Sequence, residues 1–119
     1  MRTLLFITII FSSITAFGQN RYDYYNSDVK KQKGIMKVTK NGEPLTGVVF
    51  GKYKNDQLEF EESYVNGIKN GIDRCWYKNG KLMWEGNYKD GKIEGIWKDW
   101  DKEGNLIRET TYKDGKKTN

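Results

Sequence analysis

Three glutamates, Glu61, Glu85 and Glu109, recur 24 residues apart in a chain of 119 residues. Carboxylates at fixed spacing are the side chains from which acid–base pairs and cation sites are made. Distance limits what these three can do. If each belongs to one unit of a repeat built from paired strands, successive glutamates lie two strands apart, about 10 Å at ~4.8 Å per strand. One metal ion cannot bridge that gap, and cooperating glycosidase carboxylates do not use it in a strand ladder of this kind. The glutamates therefore read as a structural ladder, with basic residues on the intervening strands, among them Arg74 and Lys98, as cross-strand partners.

The remaining chemistry is sparse. Histidine is absent, which removes the commonest general base and the commonest metal ligand. The single cysteine, Cys75, allows no internal disulfide and reads as a small strand residue rather than a nucleophile. Phosphate-loop, dinucleotide and paired-cysteine zinc patterns are missing. The chain is thus expected to be no enzyme, with no catalytic residue, no metal ligand and no cofactor. Its four tryptophans and eight tyrosines carry the other option, a binding surface. Trp76 and Trp100 share one repeat position and are expected to stack along a sheet. Trp97 has Asp73 and Val49 as its equivalents, so the repeat does not demand a ring there. It is the residue singled out as a partner contact.

The elements that position these side chains follow from the same period. Shifted by 24 residues, Tyr64, Tyr88 and Tyr112 coincide, as do Gly67, Gly91 and Gly115, Gly47, Gly71 and Gly95, Leu58, Leu82 and Leu106, and Trp76 and Trp100. Three copies at such a period mark a repeat architecture, each unit burying its apolar face against its neighbours. Seven turn signals punctuate it: Lys40-Asn41-Gly42, Lys54-Asn55-Asp56, Val65-Asn66-Gly67, Lys78-Asn79-Gly80, Lys89-Asp90-Gly91, Lys102-Glu103-Gly104 and Lys113-Asp114-Gly115. Each is expected to be a three-residue hairpin loop closed by a left-handed third residue, Gly80 and Gly104 among them. From residue 56 onward these third positions are 11, 13, 11, 13 and 11 residues apart, which predicts strands of about 8 to 10 residues. The single proline, Pro44, stays in a loop. Leu82, Trp84, Gly86 and Tyr88 alternate onto one face, as do Leu58, Phe60 and Tyr64, and Leu106 and Tyr112. The fold class is all-β: an elongated antiparallel meander of stacked β-hairpins, one open sheet with a tyrosine, leucine and tryptophan stripe on one side.

Outside the repeat, Leu4 to Phe11 is an apolar run behind Arg2, followed by small residues through Ala16 and Gly18. That order predicts a signal peptide at 1–18, cut before Gln19, and hence export to the periplasm or the extracellular space. Residues 19–39 read as an arm or linker, within which Gly34 to Thr39 could supply a first strand. Residues 40–116 form the repeat domain and 117–119 a tail. Loss of Arg2 lowers the formal charge from +5 to +4, and lysines alternate with acids, so no basic patch points to nucleic acid.

The best copy of the repeat is Tyr64, Asn66, Gly67, Gly71, Trp76, Tyr77, Asn79, Gly80, Leu82, Glu85 and Tyr88. It resembles the variant MORN repeat. The copy after it keeps Tyr88, Gly91, Gly95, Trp100, Gly104, Leu106, Glu109 and Tyr112 but has Asp101 in place of the second aromatic. The copy before it keeps Gly47, Tyr53, Leu58, Glu61 and Tyr64 with Asp56 at the turn glycine. The resemblance covers residues 40–116 and implies β-hairpins stacked side by side. Proteins with this variant are often labelled antitoxins of the YwqK family, and related repeats are discussed as lipid-binding or scaffolding modules. The expected function is an exported protein-binding or scaffold module. The alternatives are an antitoxin or immunity-type protein with one cognate effector, and an anionic-membrane module using the turn lysines Lys54, Lys78 and Lys102.

Overall fold

The computed structural model describes residues 20–32 and 38–118; the expected signal peptide, and Gly34 to Lys37 of the candidate first strand, lie outside them. Strands β1 (Arg21–Asp23), β2 (Val29–Lys31), β3 (Val38–Lys40) and β4 (Glu43–Pro44) precede the repeats. The repeats supply β5 (Gly47–Lys52), β6 (Leu58–Val65), β7 (Ile68–Trp76), β8 (Leu82–Lys89), β9 (Lys92–Ile93), β10 (Gly95–Trp100), β11 (Leu106–Lys113) and β12 (Lys116–Lys117). From β5 to β12 the chain is an antiparallel meander, each strand beside its sequence neighbour, with β9 and β10 both lying along β8. The stacked-hairpin architecture expected from the period is the one observed.

The seven turns divide into two kinds, which corrects the expectation of a single three-residue pattern. Asn41-Gly42, Asn66-Gly67, Asp90-Gly91 and Asp114-Gly115 are two-residue turns, and in each both residues have positive φ, as with Asn66 at 50° and Gly67 at 80°. Such mirror-image turns match the twist of the strands they join, and Asn or Asp tolerates the left-handed first position. The loops ending at Asp56, Gly80 and Gly104 have three residues. In the second of these, the Tyr77 amide donates to the Lys81 carbonyl (2.9 Å) and the Gly80 amide to the Tyr77 carbonyl (3.0 Å). One kind of turn lies along each long edge, which is the physical content of the alternating 11- and 13-residue spacing. Strands β6, β7, β8 and β11 have the expected eight or nine residues, whereas the first strand of the first and third units bends at Gly47 or Gly95 and breaks into β4 and β5 or β9 and β10.

Adjacent units are sewn together on both edges. On the three-residue-turn edge, the Tyr53 hydroxyl donates to the Trp76 carbonyl (2.6 Å) and Tyr77 to the Trp100 carbonyl (2.7 Å). The Asn55 and Asn79 amides donate to the carbonyls of Lys78 (3.0 Å) and Lys102 (2.9 Å). On the opposite edge the Gly67, Gly91 and Gly115 amides reach back to the carbonyls of Leu45, Lys69 and Ile93, at 2.8, 2.8 and 2.9 Å. These bonds satisfy backbone groups that a hairpin standing alone would leave to water.

The N-terminal segment is not a loose arm. β1 pairs in parallel with β5, and β2, β3 and β4 form a second, three-stranded sheet. This sheet joins the repeats in one buried cluster of Val29, Val38, Leu45, Val49 and Tyr64, flanked by Tyr22, Tyr24 and Phe60. The meander thus becomes a mixed sheet with a small partner sheet at its β5–β6 end. The reason is area: one face of a single sheet cannot exclude water unless something lies on it.

Candidate binding face

Strand register decides which side chains share a face. Val49, Glu62, Asp73, Gly86, Trp97 and Thr110 form one row across β5 to β11, and Gly51, Phe60, Cys75, Trp84, Asp99 and Arg108 the next. Tyr64, Tyr88 and Tyr112 flank the first row, opposite Gly47, Gly71 and Gly95. The partner sheet lies over the β5–β6 end of this face. Its other half carries the aromatic cluster.

Trp97 is the centre of that cluster. Its ring stacks on Trp84, with centroids 4.8 Å apart and planes at 25°, and meets Tyr88 edge-on at 6.3 Å. It lies across Gly86: a Cβ there would come within 2.6 Å of Trp97 Cζ3 and closer still to Cε3. Trp97 is therefore part of the packing, which corrects its reading as a position that stacking leaves free. Trp76 and Trp100 make no ring pair with each other. They lie two strands apart, beyond ring contact, whereas Trp84 and Trp97 sit on neighbouring strands. The repeat tyrosines Tyr64, Tyr88 and Tyr112 likewise make no ring pair with one another. Tyr64 is buried, its hydroxyl on the Glu62 carboxylate, while Tyr88 and Tyr112 are half-buried. Leu58 and Leu82 are half-buried and Leu106 is exposed.

Between the covered and the open halves lies a network of charges. Lys69 Nζ donates to Asp73 (2.6 Å), stands 3.9 Å from Glu62 and sits over the Tyr88 ring at 4.7 Å. Lys31, from β2, donates to Glu62 at 3.0 Å and so ties the partner sheet to the repeats. Asp73 is 1% exposed, and its Oδ1 has no hydrogen-bond partner. Burial pushes the Asp73 carboxyl up to about 6 against the opposing pull of Lys69. For Lys69, burial works downward but the carboxylates of Asp73 and Glu62 outweigh it, so its ammonium is held more firmly than usual. Burial also raises the Cys75 thiol, opposite Phe60 and Trp84, which leaves it protonated and a poor nucleophile.

The opposite face carries the glutamate ladder. Register pairs Glu61 with Arg74, Arg74 with Glu85, Glu85 with Lys98 and Lys98 with Glu109. Arg74 donates to Glu85 at 2.6 Å, and Arg21 of β1 extends the series onto Glu61. From β6 to β11 the signs alternate strand by strand, while the same register position on β5 is Phe50. On the three-residue-turn edge Lys54, Lys78 and Lys102 are exposed. The first two help line a cleft of about 860 Å³ with Tyr25, Tyr53 and Glu59. The Glu59 carboxylate is already engaged there by the Tyr25 hydroxyl (2.6 Å), which drives that phenol up to about 12.

Sequence reasoning missed the Trp84–Trp97 pair and the Lys31–Glu62–Lys69–Asp73 network. A signal for the first existed: within equivalent positions Glu62, Gly86 and Thr110, the only glycine stands across from the only tryptophan of Val49, Asp73 and Trp97.

A family model described as a MORN repeat variant matches residues 45–66, 69–90 and 93–114. In the comparisons with curated proteins and with solved structures, nothing matches the chain.

Proposed function

The chain belongs to the variant MORN repeat family, whose repeats are non-catalytic modules that bind proteins or membranes, and from that premise we propose that it is an exported protein-binding module using its aromatic face. One observation carries the reading. The partner sheet covers the β5–β6 end of the inner face, and the other half presents Trp84, Trp97 and Tyr88 as one contiguous, half-buried set of rings. Interface anchors are enriched in tryptophan and tyrosine, and a rigid stacked pair loses little freedom when a partner covers it. Export rests on the order of residues in 1–18 and places this face outside the cytoplasm. An immunity-type role against one effector is the same surface with a dedicated partner.

The test uses the chain as bait in its own cell envelope, beside Trp84→Ala. A partner retained by the parent and lost by a Trp84→Ala chain of unchanged circular dichroism supports the reading. A partner held equally by both overturns it. Sedimentation with anionic vesicles provides the contrast: binding abolished by moderate salt and by Lys78→Glu would assign the function to the lysine edge instead.

A further inference from the structure

The N-terminal segment does more than extend the sheet. After β1 the chain turns at Asp23 to Asn26 and stands opposite the three-residue loop of the first unit, and the two enclose the cleft of about 860 Å³. That volume falls in the range of small-molecule sites, about 300–1,000 Å³, which form preferentially where two structural units meet. The repeat makes one wall of it more than once, since Tyr53, Asn55 and Lys78 have Tyr77, Asn79 and Lys102 as their equivalents. The other wall, with Tyr25, occurs once among the described residues, because only the first unit has this segment beside it. Tyr25 is 59% exposed, yet its ring is fixed by edge contacts with Tyr24 (5.4 Å) and Phe60 (6.4 Å) and by its hydroxyl on Glu59 (2.6 Å). An exposed ring already held in place loses little freedom when a ligand covers it.

The groups left uncommitted in the cleft define the ligand. Each carboxylate lining it has a partner: Asp23 accepts from the Tyr25 amide (3.0 Å) and the Asn26 side chain (2.8 Å), Asp56 lies 3.4 Å from Lys52, and Glu59 accepts from Tyr25. Both tyrosine hydroxyls are engaged as well, Tyr25 with Glu59 and Tyr53 with the Trp76 carbonyl. The ammoniums of Lys54 and Lys78 have no carboxylate within 4 Å among the described residues, and Lys78 Nζ stands over the Tyr53 ring at 5.9 Å. The cleft therefore offers two uncommitted cations beside two aromatic rings, in a lining whose carboxylates still have lone pairs to accept from hydroxyls. A polyphosphate would be repelled by those carboxylates, and a hydrocarbon would take water from charged groups and return no hydrogen bond. A ring with one acid group among several hydroxyls meets all of these conditions. Its carboxylate reaches an ammonium, its hydroxyls donate to the carboxylates, and its C–H face lies on a tyrosine. We propose that this cleft binds an acidic sugar, a hexuronic acid or a chain of them. The site shares no residue with the aromatic face and does not depend on it.

The probe is tetragalacturonate, titrated into the full chain by isothermal calorimetry beside its methyl ester, which keeps the rings and most hydroxyls and removes the charge. The acid is expected to bind the parent, and the ester roughly tenfold more weakly. Lys54→Gln and Lys78→Gln, both at exposed positions, should each weaken the acid by roughly tenfold at unchanged circular dichroism. Tyr25→Ala should abolish binding and Trp84→Ala should leave it as it is. Free galacturonate distinguishes the sources: binding of the monomer as well as the tetramer assigns a single sugar acid, binding of the tetramer alone assigns a polysaccharide, and both uphold the proposal. No binding to the parent, equal binding of acid and ester, or indifference to both lysine variants would each overturn it. So would tripolyphosphate displacing tetragalacturonate at equal concentration, which makes the lysines a general polyanion site. Binding lost with Trp84→Ala in a chain of unchanged circular dichroism would place the sugar on the aromatic face and refute the cleft equally.

Discussion

Replacing Gly86 by alanine should destabilise this protein, although the same change in an ordinary strand stabilises by about 0.5–1 kcal/mol because glycine loses more freedom on folding. Gly86 is not among the residues of positive φ, so alanine meets no backbone penalty. What it meets is the indole of Trp97. The added Cβ would lie 2.6 Å from Cζ3 and 2.9 Å from Cδ2, where ordinary contact needs more than 3.4 Å, and a fused ring cannot yield at one edge alone. The whole ring must lift by about 1 Å, which opens the Trp84 stack and the edge contact with Tyr88. Overpacking typically costs about 1–3 kcal/mol, and the aromatic pair contributes about 0.5–1.5 kcal/mol beyond its area. Set against the propensity gain, the net loss should be about 1–3 kcal/mol. Urea melts give the free energy, and the exciton band of two indoles 4.8 Å apart in circular dichroism gives the geometry. Both should fall together. A Gly86→Ala protein as stable as the parent, with its exciton band intact, would refute the account of why glycine stands at this position.

Three further outcomes follow from the geometry. Asp73 is raised to about 6 in the fold against about 3.9 unfolded, so the folded state holds the extra proton; its contribution favours folding below about pH 4 and is lost as pH rises through 6, about 3 kcal/mol in all. The stability of Asp73→Asn relative to the parent should therefore rise between pH 4 and pH 8, and chemical melts showing a constant difference would contradict this. Gly80→Val and Gly104→Val should each cost more than about 1 kcal/mol, because their φ values of 88° and 93° exclude a β-branched residue, and thermal melts read this directly. Tyr64→Ala, at 3% exposure, should cost about 3 kcal/mol or more, and Tyr112→Ala, half-buried, clearly less, so equal losses would show that the tyrosines act by repeat position and not by burial.

Features that recur in the sequence were legible there, and features made by pairing unlike residues were not. The period alone fixed the hairpins, their stacking and the alternation of Glu61, Glu85 and Glu109 with Arg74 and Lys98, since a ladder repeats by construction. The partner sheet was hidden because β2 and β3 have three residues each and bury chiefly Val29 and Val38, too short a pattern to mark a strand. The two kinds of turn were hidden by their common closing residue, although the alternating spacing distinguished them. The candidate face was only half legible: Trp97 was marked by its irregularity, but irregularity signalled a packing partner, Gly86, on the neighbouring strand. Asp73 occupies the same equivalent position and gave no signal at all, since it is held by Lys69, while Lys31 from outside the repeat engages Glu62 on the neighbouring strand.

The hydrogen bonds between units run in fixed directions, and that makes the array extensible at some places and closed at another. Tyr53 and Asn55 reach forward to the next loop, and Tyr77 and Asn79 to the one after. The third loop has Asp101 and Glu103 at those positions. Asp101 turns inward instead, accepting from the amides of Glu103 (3.0 Å) and Asn105 (2.9 Å) within its own turn. A loop of this kind has no hand held out to a successor. Duplicating the middle unit in the gene would therefore insert a copy whose tyrosine and asparagine find carbonyls waiting, and the sheet would lengthen with both ends unchanged. Duplicating the third unit would join two loops with nothing to exchange through those positions, so growth of the array by gene duplication is channelled through the copies that carry a tyrosine and an asparagine there, Tyr53 and Asn55 or Tyr77 and Asn79.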